Sequence, residues 1–154
     1  MIGYQKIEID KLPAQMLRKQ LQKNPTGEIC GALGGIKKNR TIYVASVYPI
    51  QNQSNRSNGF ALSVNSLMEA SSHFKMKGFK FLGIYHSHPS GLLHLSLRDL
   101  WLIRNTGIPL MIIVRFNHSF EAIAFGPVRR QNRIDKTNIQ MRKTPAKNAF
   151  DSRS

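Results

Sequence analysis

Apolar and polar residues alternate over YQKIEI (residues 4–9), the period-two pattern of a strand, read here as an edge strand. The period then lengthens. Leu12, Met16, Leu17 and Leu21 recur at helical spacing within DKLPAQMLRKQLQKN, predicting one helix with one buried stripe. Pro13 suits its first turn, with Asp10 or Lys11 just outside. NPTG (24–27) is a turn, and the apolar runs EICGALGG and TIYVASVYPI that follow are read as adjacent strands. QNQSNRSNG (51–59) is a polar loop and FALS a short further run. VNSLMEASSHFKMKG fits an amphipathic helix closed by Gly78. FKFLGIY (79–85) is an apolar run interrupted only by Lys80, as expected of a strand buried on both faces. Residues 96–106 fit a helix ending at Gly107, and PLMIIVRF and FEAIAFG, separated by NHS, a final hairpin.

Helices and strands therefore interleave, which predicts an α/β (α+β) domain: a mixed β-sheet flanked by helices. The character changes at Pro127. Residues 127–154 carry eight Lys/Arg against two acids and few large apolar side chains, and are expected to form a flexible basic tail after a domain spanning 1–126. At 154 residues the chain has room for one ordinary domain whose core needs no covalent staple.

Charge alters the picture. Lys and Arg number 23 against 8 Asp and Glu, a net +15, of which +9 lies outside the tail. This excludes an acidic surface and points to an anionic partner, nucleic acid among them, for the basic surface and tail. A single cysteine, Cys30, excludes both a disulfide framework and a cysteine-rich zinc cluster within the chain. The amino terminus lacks an apolar signal region and no apolar stretch is long enough to span a membrane, so a reducing, cytoplasmic setting without membrane contact is expected.

The candidate chemistry sits after the buried strand, in His86-Ser87-His88-Pro89 followed by Ser96 and Asp99. Two histidines two apart on a strand point to one face, and Asp99 lies one turn into the next helix. Two imidazoles and one carboxylate make a three-ligand set for zinc that leaves the fourth tetrahedral position open, as a catalytic site requires. Each piece also has a purely structural explanation. An HxH pair is common on strands, and Ser96-Leu97-Arg98-Asp99 is a fair capping box, with Ser96 as N-cap and Asp99 three residues on. The two roles can coexist, because the cap would fix the helix start that presents Asp99. Hydrolysis also needs a group to move a proton. Glu28, opening an apolar strand, is the candidate, against the simpler reading of an exposed carboxylate after a turn. His94 is read as a surface residue, and His73 and His118 as structural or exposed. Ser87, between the ligands, is expected to face the core side without a catalytic role.

Taken together, Glu28, His86-x-His88-Pro89 and, after six residues, Ser96-x-x-Asp99 resemble the signature of the JAMM (MPN+) zinc metalloproteases of the JAB-domain fold. PTGEICGALGG resembles the strand that carries that family's glutamate, and GIYHSHP its metal strand. The resemblance covers most of residues 5–126 and is nearest to short single-domain bacterial members. It implies that His86, His88 and Asp99 bind one Zn²⁺ per chain, that Glu28 is the general acid/base, and that Ser96 hydrogen-bonds the oxyanion. It further implies a peptidase or isopeptidase cutting after the C-terminal glycine of a ubiquitin-like or sulfur-carrier protein. The substrate is then expected to be an extended tail of small residues laid along a sheet edge. His86-Ser87-His88-Pro89-Ser90-Gly91 also resembles the HNHPSG of RadC-like domains associated with nucleic acid, the alternative reading. Ser87 stands where those domains have Asn, and the Asp-His pair after their next strand is missing.

Overall fold

A computed structural model of the chain describes residues 6–24, 27–52, 62–88, 91–117, 119–128 and 133–141. Strand β1 (Lys6–Ile9) leads into helix α1 (Lys11–Lys23), then β2 (Cys30–Lys38), β3 (Thr41–Ile50), α2 (Val64–Met76), β4 (Lys80–Ser87), α3 (Leu97–Asn105), β5 (Met111–Asn117), β6 (Ser119–Val128) and β7 (Arg133–Met141). The strands form one mixed sheet in the order β1-β3-β2-β4-β5-β6-β7, which closes because β7 runs parallel to β1. The expected mixed sheet with helices against it is what forms.

Each face of the sheet has its own core. On one, α1 lays Ala14 and Leu17 against Ile7, Ile9, Leu33, Val44 and Leu82. On the other, Leu67 of α2 and Ile103 of α3 pack with Cys30, Ile84, Met111 and Ile113. β4 lies between the two layers, so both of its faces are buried and its apolar run follows. The glycines of β2 allow close packing. A Cβ on Gly34 would stand 2.4 Å from the Phe74 ring of α2, and one on Gly31 2.5 Å from the Tyr85 hydroxyl. Residue types that look loose for a strand are thus what lets a helix and a tyrosine sit against it.

Three expectations require correction. β1 is not an edge strand: it pairs with β3 and with β7. The buried stripe of α1 is Pro13, Ala14 and Leu17 with Leu21 partly covered, whereas Leu12 and Met16 are exposed. The helix has rolled so that its small residues meet the sheet. The third correction concerns the tail. β6 continues through Pro127, paired with Ile134, and β7 pairs with both β6 and β1, so the boundary at Pro127 cuts through a hairpin. A proline tolerates this place because it withholds only its own N–H from the ladder. The reading of the tail beyond residue 141 lies outside the described residues, as do His118 and the first two residues of the FALS run.

Ile139 tests the corrected boundary, since its side chain packs partly buried against the α1-face core. Ile139→Ala should lower stability by about 1–2 kcal/mol, a fall of several degrees in a thermal melt. An unchanged melting temperature would return β7 to the status of a tail.

Candidate metal centre

Pleating sends His86, like Ile84, to the face that α2 and α3 cover, where His86 pairs in register with Cys30 of β2 and Ile113 of β5. It is 1% exposed. Ser87 turns the other way: its Oγ accepts the Ile29 N–H at 3.0 Å, stitching β4 to the start of β2. His88 follows, half-buried at the strand end.

Asp99 arrives from α3. The Asp99 N–H donates to Ser96 Oγ at 3.1 Å, and the Ser96 N–H donates to Asp99 Oδ2 at 2.9 Å, a reciprocal capping box. The cap and the site are one construction. It fixes the helix start and turns the Asp99 carboxylate inward, where it is 1% exposed. Asp99 Oδ1 lies 2.8 Å from His86 Nε2, and Asp99 Oδ2 3.1 Å from His88 Nε2. The imidazoles are held from behind. His88 Nδ1 lies 2.9 Å from the Leu92 carbonyl, and His86 Nδ1 lies 3.2 Å from Glu28 Oε1 and 3.3 Å from the Ser87 carbonyl. Carbonyl and carboxylate oxygens only accept, so each Nδ1 carries its proton. In the neutral rings both Nε2 lone pairs then face the oxygens of Asp99. Only a proton or a cation can satisfy three such acceptors, and an orienting partner on Nδ1 is what metal-binding histidines have. The donor set fits zinc.

Glu28 is buried, 7% exposed, just before β2. Asn52 Nδ2 donates to its carbonyl at 3.0 Å, and one ligand atom from each of Glu28, His86 and His88 lies within 4.8 Å of the others. The exposed alternative for Glu28 is therefore excluded. The positions singled out in the sequence come together: Glu28, His86, His88 and Asp99 in one cluster, with Ser96 at its rim. His94 is exposed, as expected, with its ring 6.2 Å from that of His88. His73 is structural, packed on Tyr48 and Phe74.

Arg115 was missed. Its Nε and Nη2 donate to Glu121 at 3.0 and 2.6 Å, and its Nη1 to the Gly91 carbonyl at 2.9 Å. It ties the β5–β6 pair to the segment between His88 and α3. Arg115 and Glu121 are opposite one another across the hairpin, a signal available only once its register is known. Two clefts open beside the cluster. One of about 250 Å³ lies next to His88, lined by Leu21, Asn24, Gly91, Arg115 and Phe116. The other, of about 390 Å³, lies next to Glu28, lined by Gln20, Asn24, Ile50 and Asn52.

Without metal, burial pulls the His86 pKa down, but the carboxylates of Asp99 and Glu28 outweigh it and raise it to about 9. Burial pushes Asp99 up, yet its hydrogen bonds from His86 and His88 hold it well below the usual carboxylate range. A raised histidine stabilises the fold fully below its unfolded pKa near 6.5, and that contribution is lost as pH rises toward 9. The metal-free protein should therefore melt lower at pH 9 than at pH 6.5. Zinc needs neutral imidazoles, so the rise in melting temperature on adding it should grow over the same range. Melts with and without Zn²⁺ at the two pH values check both, and a zinc effect that shrinks with pH would contradict this ligand set.

No helix among the described residues is long and apolar enough to cross a membrane. No curated protein matches the chain. The fold is similar to the solution structure of protein DSY2949 from Desulfitobacterium hafniense, at 21% identity and a TM-score of 0.76 over 90% of this chain and 94% of that one. It is also similar to that of a protein from Salinibacter ruber, at 19% identity and a TM-score of 0.61 over 90% and 94%. Residues 11–132 match the family of prokaryotic homologues of the JAB domain, and the chain belongs to that family.

Proposed function

We propose that the protein is a zinc-dependent peptidase or isopeptidase that cuts after the C-terminal glycine of a small ubiquitin-like or sulfur-carrier protein in the cytoplasm. The observation that carries this is the convergence of His86 Nε2 and His88 Nε2 on the Asp99 carboxylate, with buried Glu28 beside them. His86, His88 and Asp99 would hold the ion. Zinc bound there supplies a Lewis acid that polarises the scissile carbonyl and makes water a usable nucleophile near neutral pH. Glu28 accepts the proton of the attacking water at its carboxylate and passes it to the leaving amine. Ser96 Oγ already accepts from Asp99 N–H, which leaves its own proton free to donate to the developing oxyanion, a contact often worth ~3 kcal/mol.

The substrate reading needs one adjustment. In a closed sheet, strand addition needs a stretch where one strand outruns its neighbour, and β5 provides one beside His88. The last β4–β5 pair is Ser87 with Val114, and β5 continues through Arg115 to Asn117. The cleft beside His88 lies along that overhang. An extended tail would run from the Glu28 cleft past the cluster onto it, and small residues at the cut allow the backbone to approach closely. Zinc-loaded protein should therefore release an amine-linked fusion from a ubiquitin-like protein ending in Gly-Gly, and a chelator should stop it. In a peptide library, glycine should be preferred before the cut. Preference for bulky residues there would contradict the reading.

An anionic partner is a proposed addition to this activity. Lys37, Lys38 and Arg40 lie at the β2–β3 turn, with Lys80 opposite Gly35, at the sheet end away from the Cys30–His86 pair. Binding there would leave the site open.

A further inference from the structure

Helix α3 turns two large apolar side chains outward. Leu97 is 87% exposed and Trp101, the chain's single tryptophan, 60%. Neither joins a core cluster. At 3.6 residues per turn the two stand about 40° apart around the helix. Arg98 and Arg104, both exposed, flank them on either side, while Asp99 and Ile103 face inward. The result is an apolar stripe between two cations on the back of the helix that presents the metal-site carboxylate. Trp and Arg in such a setting are the residue types that anchor protein interfaces.

We infer that this face docks the folded body of the protein whose C-terminal tail enters the metal centre, which rests on the peptidase reading above. Distance supports that occupant. Leu97 adjoins Ser96 at the rim of the site, and α3 with its side chains is about 10–12 Å across. A tail of roughly four extended residues, at about 3.3 Å each, bridges from the outer face to Asp99. Charge narrows the partner's chemistry. The exposed residues of α3 include two arginines and no acid, in a chain of net charge +15, so the complementary surface is an apolar patch rimmed by carboxylates. A second copy of this chain is disfavoured, because a two-fold contact would set arginine against arginine.

The test titrates a ¹⁵N-labelled ubiquitin-like protein ending in Gly-Gly, and separately its C-terminal hexapeptide, with the zinc-loaded parent, with L97S/W101A and with R98E/R104E. Melting temperature and zinc content establish that each variant is folded. L97S/W101A should weaken binding of the protein about tenfold or more and leave the hexapeptide unchanged. R98E/R104E should weaken it mainly at low salt. Equal affinity of parent and L97S/W101A for the protein, or no binding by the parent, would overturn the inference. So would sedimentation showing a parent dimer that L97S/W101A dissolves, which assigns the face to a second copy. The two readings fail separately: α3-dependent binding without cleavage sinks the peptidase, and cleavage with α3-independent affinity sinks the docking face.

Discussion

Glu28→Gln should lose nearly all hydrolysis, by about 10²–10⁴-fold, while zinc and fold are kept. The amide matches the carboxylate in size and its oxygen can still accept from His86 Nδ1, now at 3.2 Å from Glu28. The backbone stays anchored, because Asn52 bonds the Glu28 carbonyl rather than its side chain. What disappears is the capacity to take up a proton. Single-turnover cleavage, measured beside metal content and melting temperature, separates the outcomes. A rate equal to the parent's removes Glu28 from the chemistry. Loss of zinc along with activity would make Glu28 a ligand, a role its closeness to both imidazoles permits.

The second large effect concerns the ligands. Asp99→Asn keeps an oxygen for the Ser96 N–H, so the helix start survives, but the charge between the two Nε2 atoms is gone. Zinc affinity should fall by more than the ~10–100-fold typical of losing an outer partner, and hydrolysis should fall to background. His88→Ala should do the same while His86 keeps its own contact with Asp99. Competition with a chelator of known affinity reads both. Asp99→Asn that retains its zinc would shift the site to Glu28, His86 and His88.

Much of this site was legible because its chemistry is local in sequence. His86 and His88 share a face through strand pleating alone, and Ser96 and Asp99 share a turn through capping alone. Both rules act over a few residues. Glu28 stands out as a carboxylate opening an apolar strand, but only the resemblance favours it over an exposed residue, since its burial depends on β2 lying against β4, a contact 58 residues apart. Arg115 escaped because its pairing with Glu121 depends on the hairpin register and its bond to the Gly91 carbonyl spans 24 residues. In the fold, β4 could be read because two covered faces force an apolar run. β7 could not: Ile134 and Ile139 fall an odd number apart, so RIDKTNIQM shows no alternation. Its place comes from the ladders to β6 and β1 rather than from its pattern. The α1 stripe was misjudged by following large residues, when the sheet takes Pro13, Ala14 and Leu17.

The zinc content of the purified protein tests the account most directly. After dialysis against a mild chelator, three protein ligands with an open fourth position predict one Zn²⁺ per chain, restored by added zinc if stripped. Less than about a tenth of an equivalent, with no recovery on adding Zn²⁺, would contradict the metal centre and the mechanism built on it.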